Sequence, residues 1–361
     1  MRLMARNTFM RSSFIITLTL TFVTLWLSAF DAVQSQTLGD GLVPVPSPKV
    51  RNIVLILADD MGVDMLKVYN EGTDFPQTPT IDRLRAEGVL FRNVWSYPNC
   101  SPTRATILTG RYGFRTGIMD IIGSDSLVAL LLDELTIPEI LDLNPQAQHT
   151  HAAIGKWHLG NCLNGDQDSP NLSGFSHYAG SFKNLSGNDQ SFSHWDKTVN
   201  GKTSRVHVYA TTDNVNDAIH WIQNQTGPWF LYLPFNAPHR PWEVPPHHLV
   251  SPTTLERLKD TDGLLLPAGT LCTDDNKTLR ACYVAMIEAM DHEIGRLLIT
   301  LPLEVRAQTS VIFLGDNGTP GETTVLPFQR NQAKSSLFEG GINPTASLDF
   351  FSCFELHLSL L

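Results

Sequence analysis

The stretch from Tyr97 to Arg111 reads YPNCSPTRATILTGR. It sets one of the chain's five cysteines, Cys100, directly before a Ser-Pro pair, with Arg104 four residues on. Ser101 is a good N-cap and Pro102 suits a first helical position, so a helix is expected to run through ATILTG. Cys100 would then stand at a helix N-terminus. Free N–H groups and the positive dipole end attract anions there, and the same field lowers a thiol pKa. Arg104, one turn on, would stabilise an anionic group near the thiol. A buried or disulfide-bonded cysteine beside an ordinary helix start is the plain alternative. This stretch alone leaves both open.

Other reactive residue types fall where apolar runs end. NIVLILA (52–58) is continuous and rich in branched residues, as expected of a strand buried on both faces, and it ends at Asp59 and Asp60. WFLYLPF (229–235) is a second such run, shortly before His239, and SVIFLGDNG (310–318) a third, ending in Asp316 and Asn317. GKWHLG places Lys156 and His158 two residues apart, on one side of an extended segment. Taken singly, Asp-Asp reads as a solvated turn, Asp-Asn-Gly as a hairpin turn, and a lysine as an exposed cation.

The elements between these runs read as helices. TPTIDRLRAEG has Thr78 to cap it, Pro79 in the first turn and Gly88 to stop it. TTDNVNDAIHWIQNQ is a second helix, with Thr212 or Asp213 near its cap. RACYVAMIEAMDHEIGRLLITL is the strongest, with Tyr283, Met286, Ile287, Met290, Ile294 and Leu297 on one apolar face. Residues 161–202, rich in Gly, Ser, Asn and Asp, read as mostly loop. Strands alternating with helices predict an α/β fold with a mostly parallel central sheet flanked by helices on both faces. Sites in such folds form outside the carboxyl ends of strands, so the distant clusters are expected to converge on one sheet edge.

CSPTRATILTGR resembles the sulfatase signature, C-x-P-x-R followed by LTGR. The resemblance covers roughly Val50 to Ile342 and implies an alkaline-phosphatase-like fold, with a pattern similar to arylsulfatases of the B type. It implies that Cys100 is oxidised to formylglycine by a formylglycine-generating enzyme, which reads Pro102 and Arg104. The aldehyde hydrate would then be the nucleophile, and Arg104 an active-site residue. ADDMG and LGDNG resemble the family's metal motifs, giving Asp59, Asp60, Asp316 and Asn317, with residue 100, as ligands. Oxygen donors suit Ca²⁺, with Mg²⁺ as the alternative. GKWHLG carries over Lys156 and His158, APHRPW carries over His239, and AKSSLFEGG carries over Lys334. The resemblance implies a base role toward the hydrate for His158, and His239 or Lys334 beside the leaving oxygen. The substrate would be a sulfated small molecule or glycan. A phosphonate or phosphate ester hydrolase on the same scaffold, and an inactive truncated product, stay open.

Composition bounds these readings. The chain has 361 residues, 42% hydrophobic and 17% charged, which fits a globular protein with a sizeable core. A formal net charge of −10 argues against a nucleic-acid partner. Arg2, Arg6 and Arg11 precede an apolar run from Phe14 to Phe30, which reads as a signal peptide over residues 1–35 or, alternatively, a retained anchor. A linker (36–48), a catalytic domain (49–342) and a divergent tail (343–361) complete the expected organisation. That tail resembles neither the strand nor the smaller C-terminal domain with which the family continues. The expected route is the secretory pathway, ending secreted, lysosomal or periplasmic. Asn171, Asn184, Asn224 and Asn276 head glycosylation acceptor triplets. Cys272 and Cys282 are close enough in sequence to close a short loop, and Cys353 is a candidate odd thiol.

Overall fold

The structure is a computed structural model that describes residues 51–92, 94–123, 125–144, 148–187, 189–273, 276–327, 333–334 and 353–355. The signal and linker segments lie outside the described residues. So do Glu339, Gly340 and Gly341 of the Lys334 motif, and most of the tail.

Among the described residues, nine strands form one sheet: β1 (Asn52–Ala58), β2 (Val89–Leu90), β3 (Thr150–Ile154), β4 (His177–Gly180), β5 (Trp195–Val199), β6 (Lys202–Val206), β7 (Trp229–Pro234), β8 (Thr309–Gly315) and β9 (Cys353–Glu355). Their spatial order is β2-β9-β8-β1-β7-β3-β4-β5-β6. The middle run from β8 to β4 is parallel throughout. Antiparallel strands flank it on both sides.

The middle strands are buried on both faces, and alternation divides their side chains between two cores. Val54, Ile56, Leu231, Leu233 and Phe313 belong to one core. Leu55, Leu57, Phe230, Tyr232 and Leu314 belong to the other. Helices α1 (Pro79–Glu87), α3 (Ala210–Gln223), α4 (Pro252–Arg257) and α5 (Asn276–Thr300) pack on the first face. Helix α2 (Cys100–Thr109) packs on the second through Ala105 and Leu108.

Several expectations need correction. Thr78 stands at the N-cap position of α1 but makes no side-chain cap; Asp291 supplies it instead, accepting from the N–H groups of Thr80 and Ile81 at 3.0 and 2.8 Å. Helix α3 starts at Ala210, ahead of the expected Thr212 or Asp213. The six apolar residues expected on α5 are all buried, but so are Val284, Ala285 and Ala289. Its middle is enclosed on nearly every side rather than on one stripe. The region read as loop contains β4 and β5, and three tail residues form β9, paired antiparallel with β8. Cys272 and Cys282 form a disulfide. Among the described residues Cys100 is a buried free thiol and Cys162 an exposed one, while the Cys353 side chain is outside the description. No helix among the described residues is long and apolar enough to cross a membrane.

Candidate active site

Parallel pairing brings the ends of β1, β3, β7 and β8 to one edge of the sheet. The residues that follow them are therefore neighbours, although up to 257 positions apart in sequence. At the end of β3 a turn is possible because Gly155 has φ +127°. Any Cβ there would sit 2.0 Å from the carbonyl oxygen of Pro234. That close approach lets the Lys156 N–H donate to the same carbonyl at 2.7 Å. Asp60 and His158 adopt left-handed backbone, with φ of 68° and 59°. Strain of about 1–3 kcal/mol per such residue persists only where surrounding contacts fix it.

Cys100 is the first residue of α2, and Asn99 occupies the N-cap position. Ser101, expected as the cap, instead ties α2 to two loops. Its hydroxyl donates to the His158 carbonyl at 2.9 Å and accepts from the Ile122 N–H at 3.1 Å. The Cys100 sulfur lies 3.3 Å from Asp59 Oδ1 and 3.6 Å from Lys334 Nζ. The helix end does not lower its pKa as expected. Burial pushes the thiol up, and the Asp59 carboxylate adds to the push, so the thiol stays protonated.

Three carboxylates and three cations interlock around that sulfur. Arg104 is fully buried and donates through Nε and Nη2 to Asp316 Oδ2 at 3.1 and 2.9 Å. Its Nη1 donates to the Lys156 carbonyl at 2.9 Å, and Nη2 lies 3.4 Å from Asp59 Oδ2. The Lys156 ammonium binds Asp59, and the Lys334 ammonium binds Asp60. Asn317 Nδ2 donates to Asp60 Oδ1 at 2.6 Å. Burial alone would raise the Asp59 pKa, but Lys156, His239 and Arg104 outweigh it and hold the carboxyl well below its usual range. Asp316 moves the opposite way, pushed up by burial and by the Asp59 charge.

Both expected histidines reach the cluster. His239 Nε2 is 3.6 Å from Asp60 Oδ2, and its Nδ1 lies 2.6 Å from the Arg240 carbonyl, an acceptor that places the ring proton on Nδ1. Burial lowers its pKa to about 4, despite Asp60 and Asp59. His158 is buried, and its Nδ1 has no partner among the described residues. Burial, then Lys156 and Arg104, hold its pKa well below the usual histidine range.

The donor set suits a divalent cation. Ligand atoms of Asp59, Asp60, Cys100 and His239 lie within 4.8 Å of one another. Asp316 and Asn317 touch Asp60, and Asn317 Oδ1 is a buried acceptor without a partner among the described residues. Carboxylate and amide oxygens favour a hard ion such as Ca²⁺ or Mg²⁺. All ten residues expected from the sequence thus gather at one place. Two supports were not anticipated. The Tyr283 hydroxyl donates from α5 to the Asp60 carbonyl at 2.6 Å, and Thr319 Oγ1 accepts from the Gly62 N–H at 3.2 Å. Tyr283 carried only a packing signal in the sequence. Thr319, two residues after Asn317, carried none.

Residues 51–342 match the family model described as Sulfatase. The chain is 29% identical to rat N-acetylgalactosamine-6-sulfatase (Rattus norvegicus) over 339 residues, covering 85% of this chain and 58% of that protein. It is 27% identical to mouse arylsulfatase J (Mus musculus), over 81% of this chain and 46% of that protein. The crystal structure of Ps i-CgsB in complex with k-i-k-neocarrahexaose is similar with a TM-score of 0.65 and 25% identity, over 84% of this chain and 65% of that one. The chain therefore spans less than two thirds of the length of each of these proteins.

Proposed function

This chain belongs to the sulfatase family, and we propose that it hydrolyses sulfate esters carried on sugars at the Cys100 cluster. The observation that carries the reading is a convergence on one helix end. Cys100 opens α2 beside Lys334 and Asp59, with Arg104 one turn along the same helix. A sulfate ester brought there meets backbone N–H groups and fixed cations, which stabilise charge developing on its oxygens without having to reorganise. A sugar substrate is supported by the likeness to the rat enzyme, which is named for N-acetylgalactosamine, and to the oligosaccharide complex.

In this reading Cys100 is oxidised to formylglycine by a formylglycine-generating enzyme in the secretory pathway, and the hydrated aldehyde would supply the nucleophile. Asp59, Asp60, Asp316, Asn317 and residue 100 would hold Ca²⁺, with Mg²⁺ as the alternative, which supplies Lewis-acid stabilisation. The chain's own side chains then divide the work. Arg104 holds Asp59 and Asp316 as a pair, and Lys156 orients Asp59. Lys334 has three donors and reaches both Asp60 and the Cys100 sulfur, so it can grip a sulfate oxygen or protonate the leaving oxygen. His239 has committed its Nδ1 proton to a carbonyl and turns its Nε2 lone pair toward Asp60. We therefore place Lys334, rather than His239, beside the leaving oxygen. His158, held against α2 through Ser101, is the base toward residue 100.

The test is mass spectrometry of the peptide containing Cys100, from protein coexpressed with the modifying enzyme, alongside turnover of sulfate, phosphate and phosphonate esters. Formylglycine at position 100 with preference for the sulfate ester is expected. An unmodified cysteine with no sulfate turnover, or a preference for the phosphorus esters, would sink the reading.

A further inference from the structure

A cleft of about 460 Å³ opens beside the site. Asp60, His239 and Lys334 of the site line it, together with Asn184, Ser186, Arg240, Trp242 and Glu322. Its cations differ in one respect. Lys334 is bound to Asp60, just as Lys156 and Arg104 are bound to carboxylates deeper in. Arg240 is exposed and makes no side-chain hydrogen bond or ion pair among the described residues. Its backbone is nevertheless anchored to the site, because its carbonyl accepts the His239 Nδ1 proton at 2.6 Å.

The same wall includes Asn184, Ser186 and Trp242. Trp242 itself is only 7% exposed. Amide, hydroxyl and indole side chains of these kinds donate to and accept from polar ligands. Hydroxyl and amide groups of a sugar match them. Glu322 also faces the cleft and would repel an anion, but it can accept sugar hydroxyls. Arg240 is then the lining cation, unpaired among the described residues, that would attract a second negative charge.

We propose that Arg240 binds a second anionic group, a sulfate or a carboxylate, on the same sugar substrate that presents its scissile sulfate ester to residue 100. The proposal rests on the sulfatase reading above. A guanidinium matches both groups with paired charge-assisted hydrogen bonds, which a free arginine can form without first breaking an internal pair. Arg240 would thus set specificity for polyanionic over singly charged substrates and act on binding rather than on the chemical step.

The test compares the unsubstituted chain with Arg240→Ala and Arg240→Lys on three substrates: a monosulfated sugar, a disulfated sugar, and a monosulfated disaccharide bearing a uronate. Losing a hydrogen bond to a charged group predicts a KM rise of roughly 10-fold or more on one polyanionic substrate. The kcat and the monosulfated substrate should shift by no more than about two-fold, and lysine should restore part of the loss. The arm that moves identifies sulfate or carboxylate. Equal losses on all three substrates, or no loss on either polyanion, would overturn the proposal. If the unsubstituted chain turns over none of them, the sulfatase reading fails separately. Calorimetry with the same three ligands then decides the subsite. Arg240→Ala must weaken a polyanionic ligand more than the monosulfated one, and equal weakening or none overturns it.

Discussion

The carboxylates at the ends of β1 and β8 and those along α5 are equally buried but are satisfied in different ways. Asp59, Asp60 and Asp316 are at most 2% exposed, and Glu288, Asp291 and Glu293 at most 4%. The first set faces Arg104, Lys156 and Lys334 across a shared centre. The second set serves mainly backbone. Glu288 accepts from the N–H groups of Gln77 and Ser251, at 3.0 and 2.9 Å, and from the Thr254 hydroxyl at 2.8 Å. Asp291 caps α1. Glu293 accepts from the Thr212 hydroxyl and from Arg296. Burial of an acid therefore does not mark chemistry by itself. Convergence of several acids and several cations on one point does, because such an arrangement holds charge ready for a ligand, whereas the α5 acids spend theirs on holding segments to the helix.

Arg104→Ala should have the largest effect and break the first set alone. It leaves Asp59 and Asp316 facing each other without their shared guanidinium. Removing one partner from a buried ion pair costs about 3–5 kcal/mol of stability. Turnover of a sulfate ester should fall by roughly 10²–10³-fold in the protein that remains folded, as for loss of a preorganised charge-stabilising donor. Denaturant titration and steady-state kinetics on the folded fraction check the two parts. Retained turnover would remove the distinction drawn between the sets.

Glu288→Ala tests the other side. It strands two backbone N–H groups and one hydroxyl, and should lower stability by about 2–4 kcal/mol. Per folded molecule, kcat should stay within about two-fold, since Glu288 touches nothing at the strand ends. A kinetic loss as large as that of Arg104→Ala, with the fold intact, would show that α5 acids belong to the chemistry.

The same contrast explains which features could be read from the sequence. Much of the site was legible because its motifs are short and several of them, those of Asp59, Lys156 and Asp316, directly follow a strand. Asp59, Asp316 and His239 are identified by their own neighbours, and the parallel sheet does the rest. The caps were not legible, because local reasoning gives α1 to Thr78 while the actual acceptor is Asp291, 211 positions beyond the Thr80 N–H it binds. β4 and β5 were hidden in a polar stretch: only two residues of each pair with the other, and β6 is almost wholly exposed. The Cys100 thiol was misjudged because a helix end is visible in sequence, whereas full burial beside Asp59 is not.

The smallest effect separates the two sets by pH. Burial raises the Asp291 pKa to about 6, against the pull of the Ile81 and Thr80 N–H groups. A carboxyl whose folded pKa lies above its unfolded one binds protons more tightly in the native state. Its contribution to stability is therefore complete below the unfolded value of 3.8 and is lost as pH rises through about 6. Asp291→Asn removes this titration while keeping one acceptor oxygen for α1. The variant should then gain on the unsubstituted protein as pH rises from 4 to 7, by on the order of 1–2 kcal/mol. Urea midpoints at the two pH values measure the change, and taking the difference between the proteins cancels every other titrating group they share. A variant that instead loses ground as pH rises would mean that the two N–H donors dominate over burial. Asp291 would then be a charged cap, stabilised by its contacts in the same way that Asp59 is stabilised by its cations.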